Sequence, residues 1–558
     1  MILKVVNFDI DMKKIYDLFW KYFWLIGLIP ICFYIKNIAL YATNFPHWDD
    51  YAIISFLQKY YNSNGFVEKL QLIFAQHNEH RIAFTRIVAL IIYKLKGNLD
   101  FVWMIWVGNM ALIGILYLFY KFLKRNALSI NYLVPICFML LQLSLYENTL
   151  WGMASVQNFW VILFVLMAIW QLADDKIPYF AVFLATFTSG NGLVLLIIIG
   201  VVILLLKRKF YLLLIFTVFT TVLLLLYYLA YVKPPDTVAL SLNIVENFKG
   251  LFLILGSFSD FNIYLNFTKR ISLAQISGFI VIIIFGLGLI LKYLKTLDFG
   301  TKNNFNLYFI LGVFLFIMGT ASATTISRLQ YGEYVLLTSK YRIYSILLLV
   351  ITYLLILLNF RYIAPKLILL CGLFVFIFIY LNTYYNFLGD LKKYHNKEIS
   401  SYYNAWHKGN ISIENKSKPY YTYQKNVLDG SIFEDTTLKY SPLGKVIQKE
   451  PNILISNNNF NGKIINAGDG PYLEFVNDEH HYFFAAQQEV TNYKKAYLFG
   501  KSNYFLPGFQ SDISLLDLPT GNYFVNIIKC ENSILTRIPC NHYIEIEGKT
   551  EKKALQNW

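Results

Sequence analysis

Long apolar stretches, rather than an alternation of apolar and polar positions, dominate the first two thirds of the chain. Residues 101–120, 128–146, 210–232, 271–291, 305–327, 343–360 and 367–389 contain no Asp, Glu, Lys or Arg. Each reaches or nearly reaches the ~20 residues an α-helix needs to cross ~30 Å of hydrocarbon. A further stretch from Leu18 to about Leu40 follows Lys4, Lys13, Lys14 and Lys21. It is too long for a signal-peptide core and has no small-residue cleavage site, so it reads as a retained first helix. Residues 157–173 make another span, and 178–206 is long enough for two short helices joined at Ser189-Gly190-Asn191-Gly192. Two shorter apolar stretches, 82–95 with Arg86 and Lys94 and 244–258 with Glu246 and Lys249, are interrupted by charge and read as interfacial helices. Beyond residue 388 the period changes. A helical neck over 388–408 precedes short strand-like runs such as Tyr472–Val476 and Tyr523–Ile528, separated by turn sequences such as Asn461-Gly462, Asp469-Gly470 and Pro519-Thr520-Gly521-Asn522. The expectation is a polytopic α-helical membrane protein of about eleven transmembrane helices over residues 1–387, with external loops 41–100 and 327–342, followed by a β-sandwich-like extracytoplasmic domain over 388–558.

Composition agrees: the 558 residues are 57% hydrophobic and only 15% charged, more apolar side chain than one water-soluble core encloses. The net charge of +15 would suit nucleic acid, but Lys and Arg cluster between apolar stretches, as topology signals do. Lys121, Lys124 and Arg125, then Lys176, then Lys207, Arg208 and Lys209, then Lys292, Lys295 and Lys302, then Arg361 and Lys366 all fall on one side when the N-terminus is cytoplasmic. Lys233, Pro234, Pro235 and Asp236 then lie on the other side, together with the C-terminal domain. The five cysteines are scattered without metal-like spacing; Cys530 and Cys540 alone are close enough in sequence for a disulfide. Usage rich in Asn, Ile, Lys and Tyr fits an AT-rich bacterial genome or its phage.

Because the spans carry so little charge, ion-coupled transport is disfavoured and chemistry is expected in the external loops. Asp49 and Asp50 stand together in His47-Trp48-Asp49-Asp50-Tyr51. Adjacent acids point in different directions, so one can face a reaction centre while the other holds a different partner; alternatively both cap the helix that starts near Tyr51. His77-Asn78-Glu79-His80-Arg81 packs four ionisable side chains into five positions, either as site residues or as a polar loop end at lipid headgroups. His77 and His80 lack the spacing of a helical zinc motif. Arg328, Tyr331, Glu333, Lys340, Tyr341 and Arg342 place three cations at the external boundary. These suit a lipid-linked phosphate, or snorkel to the interface. Smaller signals are Glu147, Asn148, Trp151 and Gln157, and the Asn191 turn.

In order of parts the chain resembles the C-type membrane glycosyltransferases, the GT-C superfold, which includes protein mannosyltransferases, O-antigen glucosyltransferases and the lipid A aminoarabinose transferase. The resemblance rests on the acidic pair Asp49-Asp50, on His77–Arg81, on the helix ending Tyr93-Lys94-Leu95-Lys96-Gly97 and on Thr186–Gly192. It covers about the first 210 residues in pattern and the rest in helix count. Where those mannosyltransferases carry prolines after the His, this chain has Asn78-Glu79. The resemblance implies transfer of a sugar from a polyprenyl-phosphate carrier to an acceptor hydroxyl of a surface glycan, at the outer face of a bacterial inner membrane. Asp49 would be the base and Asp50 a supporting acid, with Arg81, Arg328, Lys340 and Arg342 toward the carrier phosphate. His77, Glu79 and His80 would line the substrate, with Glu147 and Asn191 in support. No metal ligand set is evident, and a divalent Mg or Mn stays open. A flippase for a lipid-linked saccharide, and a glycan polymerase or ligase, are the competing readings.

Overall fold

A computed structural model describes residues 12–205, 210–234, 240–262, 265–293, 305–407, 420–434, 442–449, 451–495 and 503–546. The basic run Lys207–Lys209, Pro235, Asp236, Lys295 and Lys302 lie outside the described residues. Among the described residues eight helices are long and apolar enough to cross a membrane: α1 (Lys13–Tyr41), α5 (Phe101–Arg125), α8 (Gly152–Ala173), α11 (Phe210–Tyr228), α13 (Phe267–Lys292), α14 (Phe305–Tyr331), α15 (Ser339–Phe360) and α16 (Pro365–His407). A bent pair, α6 (Ile130–Leu140) and α7 (Leu143–Leu150), turns by 50° and makes a ninth if taken as one span.

Two of the eleven expected spans fall at 178–206, whose helices are shorter than these eight, and the span expected over 130–146 is broken where Gln142 takes extended backbone and its amide donates to the Met139 carbonyl at 3.0 Å. Residues 178–206 form two short helices as expected, α9 (Tyr179–Thr186) and α10 (Val194–Leu205), parted by a 3₁₀ turn at Gly190–Leu193. At that turn a side chain at Gly192 would lie 2.1 Å from the Ala185 carbonyl oxygen, so only glycine lets the two segments close.

The helices of loop 41–100 are α2 (Asp50–Asn62), α3 (Phe66–Phe74) and α4 (Ala83–Lys96), with a two-residue-per-strand hairpin, β1 (Gln76–His77) and β2 (His80–Arg81), between the last two. Helix α4 matches the interfacial helix expected over 82–95 and stops at Gly97, whose φ of +78° is the left-handed C-cap that glycine adopts without strain. Helix α12 (Ile244–Leu255) matches the second. Its inner face packs backbone to backbone on α13, since a Cβ at Gly256 would meet the Ala274 carbonyl at 1.7 Å. Its outer face leaves Ile244, Val245 and Phe248 exposed.

Helix α16 runs 43 residues through position 388 without a break, carrying the last span directly into the neck. The C-terminal region is a sandwich of two sheets. The strands are β3 (Ile432–Glu434), β4 (Lys445–Lys449), β5 (Asn452–Asn457), β6 (Gly470–Val476), β7 (His481–Ala485), β8 (Gln487–Val490), β9 (Phe505–Ser514), β10 (Gly521–Glu531) and β11 (Ile534–Ile546), ordered β3-β11-β10-β6-β7 and β4-β5-β9-β8. Strict alternation buries the larger sheet on both faces. Leu473, Phe475, Val525 and Ile527 fill the space between the sheets, while Tyr472, Phe483 and Ile528 on the opposite face join a core with Ile53, Leu57 and Val88 of the first external loop and Ile399 and Tyr402 of α16. Asn404 fixes that docking by donating to the Phe483 carbonyl (2.7 Å) and accepting its amide (2.9 Å). The expected disulfide is not formed: Cys530 on β10 and Cys540 on β11 are separate buried thiols.

Candidate functional site

One end of the bundle gathers the segments of loops 41–100 and 327–342. The hairpin β1–β2 brings His77 to Asp49, Glu79 to Arg328 and His80 to the Gly190 turn. The two adjacent acids part, as neighbours at a helix start must. Asp50 turns inward, 1% exposed, and its carboxylate accepts the backbone N–H of His47 (3.0 Å) and of Met153 (2.8 Å). It thereby stitches the first loop to the start of α8. Burial pushes its pKa up to about 7 against those two hydrogen bonds. Asp50, expected as a supporting acid, thus has its carboxylate engaged by two backbone N–H groups.

Asp49 remains partly exposed, with its Oδ2 3.9 Å from His77 Nε2. Burial raises its pKa, but His77 and the Lys340 ammonium outweigh that and hold the carboxyl below the usual carboxylate range. Neither acid caps α2 through its side chain: Asp49 occupies the N-cap without a capping hydrogen bond. Two non-glycine residues at this site, Trp48 (φ +44°) and Asn78 (φ +48°), sit in the left-handed region, a local strain that compact functional turns often carry.

The cations divide by what already holds them. Arg81 donates Nε, Nη1 and Nη2 to the carbonyls of Tyr227, Phe74 and Leu229, so it ties the hairpin to the end of α11 rather than facing substrate. Arg342 is buried, donating to Asp260 Oδ2 (2.7 Å) and to the Leu337 carbonyl. Asp260 also receives both arms of Arg270, at 2.7 and 3.0 Å. Arg328 pairs with Glu79 and lies 5.9 Å from the Tyr331 ring. Lys340 has no carboxylate within ion-pair distance among the described residues; its ammonium lies 4.7 Å over the Trp151 ring, whose other neighbour is the His47 imidazole at 4.9 Å. The Trp151 Nε1 is buried without an acceptor. Burial pushes His80 down, and its ring packs where a Cβ on Gly190 would fall 2.4 Å from Nδ1.

The supporting residues join by their neighbours. Asn191 donates to the Tyr344 hydroxyl at 2.5 Å. Asn148 donates to the Lys340 carbonyl at 3.1 Å and accepts from Asn158. Glu147 borders a cavity of about 310 Å³ with Asp390, Arg270 and Arg342. Sequence reasoning missed Asp260, Arg270, Asp390 and Glu398, the last paired with His47 at 2.7 Å. Asp260 and Arg270 flank the start of α13, where a charge adjoins an apolar helix, whereas Asp390 and Glu398 lie inside α16 with no such signal.

Among the described residues no group of three or more His, Cys, Asp or Glu could hold a metal ion, so the side chains do not assemble a resident Mg or Mn site. What remains is a partly exposed, ionised carboxylate set beside a histidine and two cations, at the mouth of an apolar bundle. That arrangement can accept a proton while stabilising a neighbouring anion. No family model, no curated protein and no solved structure matches the chain.

Proposed function

We propose that this protein is a glycosyltransferase that moves a sugar from a polyprenyl-phosphate carrier to an acceptor hydroxyl of a cell-surface glycan, O-antigen or a similar envelope polymer. The reading places it in a bacterial inner membrane, N-terminus cytoplasmic and sandwich periplasmic. The observation that carries it is the placement of Asp49, an accessible carboxylate poised between His77 and Lys340, while its neighbour Asp50 is committed to the backbone.

In this mechanism the acceptor hydroxyl oxygen attacks the anomeric carbon and forms the new glycosidic bond. Its proton passes to Asp49. The bond from the anomeric carbon to the carrier phosphate oxygen breaks, and the phosphate departs with the electron pair. Lys340 and Arg328, the less deeply committed cations at the site, stabilise the charge that develops there. Arg342 and Arg81 act by holding the loops. The eight or nine apolar helices supply the hydrocarbon contact that a polyprenyl tail requires.

The test is transfer from synthetic polyprenyl-phosphate-linked sugars to envelope glycans by purified protein in detergent, run beside carrier translocation in liposomes. Transfer supports the reading. Translocation without transfer by any donor replaces it with a flippase.

A further inference from the structure

The cavity of about 310 Å³ beside the Asp49 site is bounded by groups from four separate segments: Glu147 from α7, Arg270 from α13, Thr338 and Arg342 from the start of α15, and Phe387 and Asp390 from α16. No hydrogen bond or ion pair engages the carboxylates of Glu147 and Asp390 among the described residues. The two guanidiniums share one carboxylate, Asp260. An inorganic or lipid phosphate entering here would face two carboxylates. A cation would face two guanidiniums.

A neutral polyol fits both. Carboxyl groups bond vicinal hydroxyls in either protonation state, and guanidinium N–H groups donate to the same sugar's oxygens. Phe387 borders the cavity as a buried apolar wall and carries the Arg342 guanidinium 4.6 Å over its ring, which fixes where that donor group stands. The volume lies at the lower end of the range for small-ligand sites, ~300–1,000 Å³, and suits one or two pyranose rings. The cavity is linked to the Asp49 site along α15, where Ser339, a lining residue whose hydroxyl accepts the Glu147 backbone N–H at 3.3 Å, directly precedes Lys340.

We infer that this cavity, bounded by Glu147, Asp390, Arg270, Arg342 and Phe387, is a subsite for a neutral hexosyl unit of the acceptor glycan. The assignment of the bound unit to an acceptor rests on the glycosyltransferase reading; saccharide binding itself does not. Glu147 and Asp390 receive the sugar hydroxyls, and the Asp260-linked arginines orient its ring oxygens.

The experiment is saturation-transfer NMR on the full chain in detergent, with methyl glucoside, methyl galactoside and maltose as neutral probes and glucuronate and inorganic phosphate as anionic ones. Saturation of the neutral probes that weakens at least tenfold in Asp390→Asn and in Glu147→Gln, yet persists in Asp49→Asn, is the expected result. Thr338→Phe, which fills the space from a half-buried position, should abolish it as well, and unchanged melting temperatures separate lost binding from lost folding. Binding undiminished in these variants, preference for phosphate or glucuronate, or no binding by any neutral probe would overturn the inference. Sugar binding with this pattern in a protein that transfers nothing would leave the subsite standing and remove the transferase.

Discussion

The two ends of the helix bundle both carry charge, but they use it differently. At the end holding Lys121, Arg125, Asp174, Lys292 and Arg361, each charge serves a local terminus. Arg125 pairs with Asp174 at 2.8 Å and stacks over Phe305; Arg361 and Lys292 donate to the carbonyls of Asn126 and Leu358. At the other end the charged groups pair mainly with one another rather than with helix-terminal carbonyls: Asp49 meets His77, Glu79 meets Arg328, and Asp260 ties Arg342 to Arg270. Charge placed where a helix stops signals topology, whereas charge gathered across the fold, at a desolvation cost that only specific partners offset, signals a site.

Substitutions should separate the two ends sharply. Asp49→Asn is expected to lower sugar transfer by roughly 10²–10⁴-fold, the contribution typical of a positioned base, with the melting temperature unchanged; transfer rates and thermal unfolding read the two. Gly190→Ala should come next. Its new Cβ would sit 2.4 Å from His80 Nδ1, and the resulting overpacking should cost about 1–3 kcal/mol and displace the hairpin that carries His77, visible as a lower unfolding temperature together with reduced transfer.

Glu474→Gln in the sandwich should cost about 2 kcal/mol, because it weakens a buried carboxylate held by both arms of Arg537 at 2.7 Å and by Asn526 at 2.9 Å. Burial raises the Glu474 pKa, but those hydrogen bonds and that of His481 outweigh it and draw it down to about 2. The stability this group adds is therefore fully present above its ordinary value near pH 4.5 and is lost as the pH falls through 2, so the variant should lose that part of the acid transition in a pH series of thermal melts. Asp50 has the opposite sign: with its pKa raised to about 7, its contribution is present below about pH 4 and declines as the pH rises through 7. Smallest of all, Arg125→Gln removes an exposed ion pair at the other end and should change stability by less than about 1 kcal/mol and transfer not at all.

Much of this contrast is legible in sequence. The apolar spans, the neck, the sandwich and the break at Ser189–Gly192 follow from hydrophobic period and turn residues. That Asp49 and Asp50 diverge follows from their adjacency, though which of them faces inward depends on Met153, a hundred positions away. The roles of Arg81 and Arg342 were not legible for the same reason: a cation's partner, a carbonyl for one and Asp260 for the other, is fixed only when remote helix ends meet. Asp390 lies in the middle of α16, where helical period gives no hint that Arg342 and Glu147 stand opposite. The expected number of spans exceeds the number of long apolar helices among the described residues chiefly at 178–206, which a window average reads as apolar length but which the Ser189–Gly192 turn divides into helices of 8 and 12 residues.

The most direct measurement compares thermal unfolding and sugar transfer in Asp49→Asn and Asp50→Ala side by side. The structure predicts that Asp49→Asn keeps its melting temperature and loses transfer, while Asp50→Ala, which strips the acceptors from His47 N–H and Met153 N–H, melts earlier by the equivalent of about 1–3 kcal/mol and retains transfer while folded. The reverse assignment, with Asp50 essential for transfer in a stable protein and Asp49 dispensable, would contradict it.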